Sequence, residues 1–382
     1  MNLEPVDGSD ARAVLRGLRG AVLGAGPAIA LGGGDLPHEV PAGTAVVVTT
    51  SGSTGHPKSV AISRAALTSS ALATADRLGA GAWLLALPAG YIAGVQVLVR
   101  SLVAGREPAI LAGSFSAHAF AAAAAAMASS DGGVRVPTYT SLVPAQLQTV
   151  LDAIDGGDTA AARALEGFEA ILVGGQALAP ALAERAAAVG ARIVRTYGSS
   201  ETSGGCVYDG IPLPGVGVRI DEGEVQLSGP TLADGYLGDP EQTARVFVRD
   251  GATRWYRTGD LGSFDDGRLR VTGRADNVII SGGVNVSLDR VERAVRTIEG
   301  LADAVVVPVS DERWGQASVV VTAARVDADD ATALVRAAVE AEIGKAARPR
   351  EVLVVDRLPL LPSGKPDRTA LRALAADAAA AG

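Results

Sequence analysis

The chain is poor in the residues that build covalent or metal frameworks. Of its 382 residues one is cysteine, Cys206, and three are histidines. A lone thiol excludes an intrachain disulfide framework and fits a reducing, cytoplasmic compartment. Three histidines and one cysteine leave no cluster for a zinc-type site. Aromatic residues make up only 4%, so the apolar positions are mostly Ala, Val and Leu. There is no Lys/Arg run and the formal net charge is −8, which removes the basic field a nucleic-acid partner needs. The opening Met1-Asn2-Leu3-Glu4-Pro5-Val6-Asp7 lacks the basic-then-apolar order of a secretory signal. One window, Leu78 to Val99, is uncharged and long enough to cross a bilayer. Gly79, Gly81, Pro88, Gly90 and Gly94 break it up, so strand, turn and helix are expected there and no membrane span.

What is present describes a globular chain with ample core: 48% hydrophobic, 20% charged, and long enough for two domains. The apolar run Thr44 to Thr49 reads as a buried strand. It leads into Thr50-Ser51-Gly52-Ser53-Thr54-Gly55-His56-Pro57-Lys58. Glycines let such a loop turn its N–H groups inward, hydroxyls add donors and Lys58 adds a point charge, a combination suited to phosphate oxygens. Pro57 stands where a Walker A loop needs glycine, which argues against an ordinary P-loop kinase or GTPase. A helix capped by Ser63 should follow, running to about Leu78. Further on, strand Phe168 to Val173, loop Gly174-Gly175-Gln176, helix Pro180 to Val189 and strand Arg192 to Thr196 form a βαβ unit. Such alternation implies a parallel sheet with ligands at its carboxyl ends. Short strands and turns dominate from about 211 to 272, and a small α+β unit of strand, helix, strand, strand, helix, strand follows. The alanine-rich tail after Leu374 reads as a fraying helix, and Trp314 as core of that unit.

Four more stretches could carry chemistry. Tyr197-Gly198-Ser199-Ser200-Glu201-Thr202 follows a strand, where a tyrosine can stack on a base and a carboxylate can hold Mg²⁺ on phosphates. Tyr256-Arg257-Thr258-Gly259-Asp260-Leu261 offers an aspartate able to accept from both ribose hydroxyls. Gly273-Arg274-Ala275-Asp276-Asn277 leads through a strand to Ser281-Gly282-Gly283, and Pro362-Ser363-Gly364-Lys365 presents a lysine on a loop. Each alone is an ordinary turn, linker or exposed lysine.

In this order the five stretches resemble the signatures of the adenylate-forming superfamily of acyl-CoA synthetases, luciferases and peptide-synthetase adenylation domains, from about residue 44 to 370. The resemblance implies an α/β fold: a large N-terminal domain (1–273) with parallel sheets covered by helices plus a β-rich subdomain, then a small mobile α+β C-terminal domain (274–382). It implies ATP and Mg²⁺ as cofactors, and a small carboxylic acid and CoA as substrates. Thr50, Ser51, Gly52, Ser53, Thr54, Gly55 and Lys58 would cradle the β- and γ-phosphates. Tyr197, with Gly198, would lie against adenine near Gly174, Gly175 and Gln176. Ser200 would touch the α-phosphate, Glu201 would ligate Mg²⁺, and Asp260 would hold the ribose with Arg274 nearby. Lys365, on a loop at 362–368, would bridge the acid and the α-phosphate. Asp276, in a hinge at 274–277, would let the small domain rotate and bring Ser281, Gly282 and Gly283 to line a tunnel for the CoA thiol. A homo-oligomer is possible within this family.

Two stretches, Thr140 to Leu147 and Ser200 to Gly210, look like the o-succinylbenzoate–CoA ligases of menaquinone biosynthesis. This predicts activation of o-succinylbenzoate as acyl-AMP and transfer to CoA. Loading of another acid onto CoA or a carrier protein, or nucleotide binding without catalysis, are the alternatives. Two departures stand out. Only about 45 residues precede the phosphate loop, fewer than in most of the superfamily, so a trimmed N-terminal subdomain is expected. In Leu87-Pro88-Ala89-Gly90-Tyr91, Gly90 or Tyr91 stands where many relatives place a histidine or aromatic, and Tyr91 is the candidate for the substrate pocket. Ser203, Gly204 and Gly205 are candidates for its wall, while the group that pairs with the second, ring carboxylate is not evident. Cys206 reads as a small wall residue, and His38, His56 and His118 as exposed or structural.

Overall fold

The computed structural model describes residues 1–24, 26–33, 36–50, 57–127, 129–361 and 363–381. Valines 46 to 48 are fully buried on both faces of their strand, Thr44–Thr50, as a central strand requires. That strand lies in a five-stranded sheet with Leu3–Val6 and Ala28–Leu31 parallel to it; on its other side Lys58–Ser63 pairs with it antiparallel, and Gly235–Tyr236 pairs antiparallel with Lys58–Ser63. A seven-stranded sheet has a parallel centre: Ala82–Leu85, Thr138–Leu142, Ala170–Gly174 and Ile193–Ser199. Helices Arg64–Leu78 and Ile92–Val103 pack against each other between the two sheets' core residues. Ser63 caps the first, its hydroxyl accepting from Ala66 N–H at 3.2 Å. A third, antiparallel sheet runs through Gly217–Asp221, Glu224–Ser228, Thr253–Asp265, Phe247–Asp250 and Arg268–Arg274.

Residues 278–354 supply a separate five-stranded sheet with its own apolar core around Val306, Val320, Val335 and Val339. The chain is thus mixed α/β, with parallel sheets followed by a C-terminal domain. No helix among the described residues is long and apolar enough to cross a membrane.

Several expectations need correction. Lys58–Ser63, not assigned from sequence, is a strand that returns antiparallel alongside Thr44–Thr50 before the helix that Ser63 caps. Ile193–Ser199 continues through Tyr197 and Gly198, which are therefore strand residues and not a turn. The C-terminal unit opens on a hairpin, Val278–Ser281 with Val284–Ser287, where a single strand was expected. Trp314 is half-buried and outside the core: it lies across Gly282, where a Cβ would come within 2.5 Å of its ring. The final helix, Arg368–Ala381, is not a loose tail, because Leu371 and Ala375 are fully buried against Val305, Val307 and Val319.

Candidate active site

The central strands of the seven-stranded sheet run parallel, so their carboxyl ends lie along one edge, where ligands bind in open α/β sheets. Gly174 and Thr196 are register partners there, so the Gly174-Gly175-Gln176 loop and the Tyr197-Gly198-Ser199 segment leave the sheet side by side. Gly175 has φ +83°, and a Cβ on it would lie 3.3 Å from Lys365 Cε. A lysine of the C-terminal domain therefore reaches over this loop. Its side chain stays open along this edge, yet the surrounding protein depletes the water around its ammonium. That desolvation pulls its pKa below the usual lysine value, partly opposed by the Glu201 and Asp260 carboxylates. The loop beneath is held by Leu361 N–H to Lys365 O and Gly364 N–H to Leu361 O, both 2.8 Å.

Tyr197 meets Asp260 by its hydroxyl, which donates to Oδ2 at 2.5 Å. Burial, and then the neighbouring charge of Asp260, push the Tyr197 pKa well up, so it stays a donor. Burial also raises the Asp260 pKa, against the opposing pull of the Tyr197 bond and Arg274. Asp260 is fixed by backbone as well: its N–H donates to Thr258 Oγ1 (2.9 Å), whose hydroxyl donates to Val225 O (2.7 Å). Arg274, the strand partner of Asp260, lies 3.4 Å from Oδ1 and forms a two-pronged pair with Asp276 at 2.8 and 2.9 Å. Asp289, not anticipated from sequence, ties this segment down by accepting from Arg274 N–H and Asn277 Nδ2, both at 2.7 Å.

Ser200, Glu201 and Thr202 form a single 3₁₀ turn. Ser200 is buried, and Glu201 Oε1 accepts from Tyr236 Oη at 2.9 Å. Thr50 and Lys58 are strand partners, so the two ends of the phosphate loop sit together; Ser51, Gly52, Ser53, Thr54 and Gly55 lie outside the described residues. Gly90 packs on the backbone of Gly8, where a Cβ would come within 3.0 Å of Gly8 Cα. A side chain there would crowd the Gly8 backbone, whereas Tyr91, at the N-cap of helix Ile92–Val103, carries one that is half-buried. Ser281, Gly282 and Gly283 sit at the hairpin turn of the C-terminal sheet, with Trp314 against Gly282.

Sequence reasoning missed a second polar group. Helix Ile92–Val103 carries Gln96 and Arg100 one turn apart, with relative exposures of 1% and 6%. Both amide atoms of Gln96 and Nε of Arg100 lack a hydrogen-bond partner, and no carboxylate pairs with Arg100 among the described residues. The guanidinium donates to Tyr208 Oη at 3.2 Å and lies 4.8 Å from the Trp83 ring centre. Tyr208 in turn shares a 2.9 Å bond with Thr74 Oγ1. Burial lowers the Arg100 pKa. Gln96 adjoins the candidate pocket wall, since a Cβ on Gly204 would come within 3.1 Å of its Cγ. Ser203 is buried too, its hydroxyl donating to Thr231 O at 2.8 Å and its carbonyl accepting from Ser70 Oγ at 3.3 Å. An arginine ending an otherwise uncharged 22-residue window was the available signal. Cys206 is fully buried beside this group and its thiol is pushed up to about 12 by burial.

Two family models match the chain: "AMP-binding enzyme" over residues 27–237 and "AMP-binding enzyme C-terminal domain" over residues 290–365. A probable 2-succinylbenzoate–CoA ligase of Mycobacterium tuberculosis is 43% identical over 338 residues, covering 86% of this chain and 83% of that protein. A 2-succinylbenzoate–CoA ligase of Geobacillus is 30% identical, covering 86% of this chain and 69% of the other. Among solved structures, the o-succinylbenzoate CoA synthetase of Bacillus subtilis in complex with the acyl-adenylate intermediate OSB-AMP superposes with a TM-score of 0.70 at 26% identity. It covers 86% of this chain and 69% of that one. An E. coli MenE variant with bound OSB-AMS gives 0.71 at 26%, covering 91% and 72%. The chain therefore belongs to the AMP-binding, adenylate-forming enzymes, in the group that holds the 2-succinylbenzoate–CoA ligases.

Proposed function

We propose that this chain is an ATP-dependent ligase that activates o-succinylbenzoate as its acyl-AMP and transfers the acyl group to CoA. The observation that carries the substrate assignment is the buried, uncompensated Arg100 with Gln96 beside it. A buried cation without a counterion is costly, and an anionic ligand group brought within reach would relieve that cost. The acid has two carboxylates: one reacts and the other must be desolvated when the aromatic ring enters the pocket. Arg100 supplies the charge and Gln96 the neutral donor for that second carboxylate, behind the wall formed by Ser203, Gly204 and Gly205. A wholly apolar acyl chain would leave Gln96 without a partner and Arg100 without a counterion.

In the first half-reaction the succinyl carboxylate attacks the α-phosphorus of ATP and pyrophosphate leaves. Attack of one anion on another concentrates negative charge, and the Lys365 ammonium would stabilise it most in the transition state. Asp260 would accept from the ribose hydroxyls, with Tyr197 flanking adenine along the Gly174-Gly175-Gln176 loop. Ser200 would contact the α-phosphate, and the loop between Thr50 and Lys58 would take the β- and γ-phosphates. Glu201 offers one hard carboxylate oxygen donor, which suits a Mg²⁺ carried in on the triphosphate; such an ion would neutralise phosphate charge. Among the described residues no larger His/Cys/Asp/Glu cluster could hold a metal of its own. In the second half-reaction the CoA thiolate attacks the acyl carbonyl carbon and AMP leaves. Rotation of residues 274–382 about Asp276 would withdraw Lys365 and bring Ser281, Gly282 and Gly283 to the pantetheine path.

ATP–pyrophosphate exchange across a panel of acids tests this reading. Exchange should be supported by o-succinylbenzoate and far less by its analogue without the ring carboxylate. Equal exchange with both, or with fatty acids in preference, would remove the substrate assignment.

A further inference from the structure

Tyr236 lies on the short strand Gly235–Tyr236, paired with Lys58–Ser63 in the register Tyr236 to Val60. It is only 7% exposed, and its ring packs on Phe247 at 6.0 Å between centres. Its backbone is fixed by Thr243, which accepts from Tyr236 N–H at 2.9 Å and donates to Asp239 O at 2.8 Å. From this anchored position it touches two charged groups of opposite sign. Its hydroxyl donates to Glu201 Oε1 at 2.9 Å, and its ring carries the Lys58 ammonium 5.5 Å from its centre. The Gln242 amide, oriented to satisfy both neighbours, accepts from Lys58 Nζ at 2.8 Å and donates to Asp239 Oδ2 at 3.1 Å. Ala233 N–H holds the Glu201 carbonyl at 2.8 Å, so the segment just before Tyr236 is also bound to the 3₁₀ turn.

Resting on the functional reading above, we infer that Tyr236 is a positioning residue for the triphosphate end of the nucleotide. It fixes the Glu201 carboxylate and the Lys58 ammonium, which come from two different sheets, at a set separation. Without its hydroxyl, Glu201 keeps its charge but loses the bond that selects one rotamer. Without its ring, Lys58 loses the face it lies on. On the functional reading above, Glu201 and Lys58 serve the Mg²⁺ and the β- and γ-phosphates, so the effect should be selective for what lies beyond the α-phosphate.

Tyr236→Phe keeps the ring and its packing and removes only the hydroxyl. Calorimetric titration of wild type and variant with Mg²⁺·ATP and, separately, with AMP reads the inference without any turnover. Mg²⁺·ATP affinity should fall about tenfold, the usual scale for losing a hydrogen bond to a charged group, while AMP affinity stays within about twofold. Acyl-adenylate formation should show a matching loss, while thioester formation from preformed acyl-AMP stays unchanged. Unchanged Mg²⁺·ATP affinity, or an equal loss for AMP, would overturn the inference. If the wild type binds Mg²⁺·ATP with this selectivity but adenylates no o-succinylbenzoate, the substrate reading falls and the role of Tyr236 stands.

Discussion

Replacing Arg100 with methionine should cost activity toward the dicarboxylic acid far more than it costs stability. In the free protein the guanidinium is 6% exposed and has one neutral hydrogen-bond partner, Tyr208, and one aromatic face, Trp83. Substituting a buried ionic group by an apolar one of similar volume is commonly neutral or stabilising by about 1–4 kcal/mol. Losing the Tyr208 bond and the Trp83 contact takes back about 1–2 kcal/mol. The unfolding free energy should therefore lie between about 2 kcal/mol below and about 3 kcal/mol above that of the wild type. In the substrate complex the same change strands a buried carboxylate, at a cost of about 3–5 kcal/mol. At 1.4 kcal/mol per factor of ten, kcat/KM for o-succinylbenzoate should drop by about 100-fold or more. The analogue without the ring carboxylate meets no stranded charge in the variant, so the preference for o-succinylbenzoate should collapse or reverse. Thermal unfolding and adenylation kinetics with both acids read all three effects. A variant that keeps its preference for the dicarboxylic acid would refute the reasoning, as would a large loss of stability with activity intact.

Lys365→Ala should lower acyl-adenylate formation by about 100-fold or more, as for removal of one transition-state donor, and spare thioester formation from preformed acyl-AMP; stopped-flow of the two half-reactions separates them. Lys365 must be protonated to act and its pKa in the free protein is lowered by desolvation. The kcat/KM of adenylation should thus fall as pH rises through a value below the ordinary lysine pKa of 10.5. A profile flat to that value would contradict the placement. The Cys206 thiol, fully buried and pushed up to about 12, should resist thiol reagents near neutral pH in the folded protein and react once denaturant is added.

Local chemistry was legible in the sequence. The Ser63 cap, the central valine strand and each element of the βαβ unit around Ala170–Gly174 follow from short local patterns. So did the interruption of the uncharged window, which became strand Ala82–Leu85 and helix Ile92–Val103. What escaped was pairing across distance. Tyr197 and Asp260 are 63 positions apart, Glu201 and Tyr236 35, and nothing local links them. Arg100 escaped for a different reason: at the end of an apolar helix a cation reads as a solvated C-terminal charge, and only packing against Trp83 and Tyr208 makes it a buried one. Trp314 was misplaced because large aromatics are usually core, whereas here the ring covers a glycine turn at a sheet edge. The candidate we propose for the second carboxylate emerges only once the burial of Arg100 and Gln96 is known.

Product analysis tests the central claim most directly. Purified protein would be incubated with ATP, Mg²⁺, o-succinylbenzoate and CoA, with thioester and nucleotide products followed by mass. The account predicts one o-succinylbenzoyl-CoA and one AMP for each acid consumed. AMP formed only with other acids, or ATP bound with no acid activated, would contradict it.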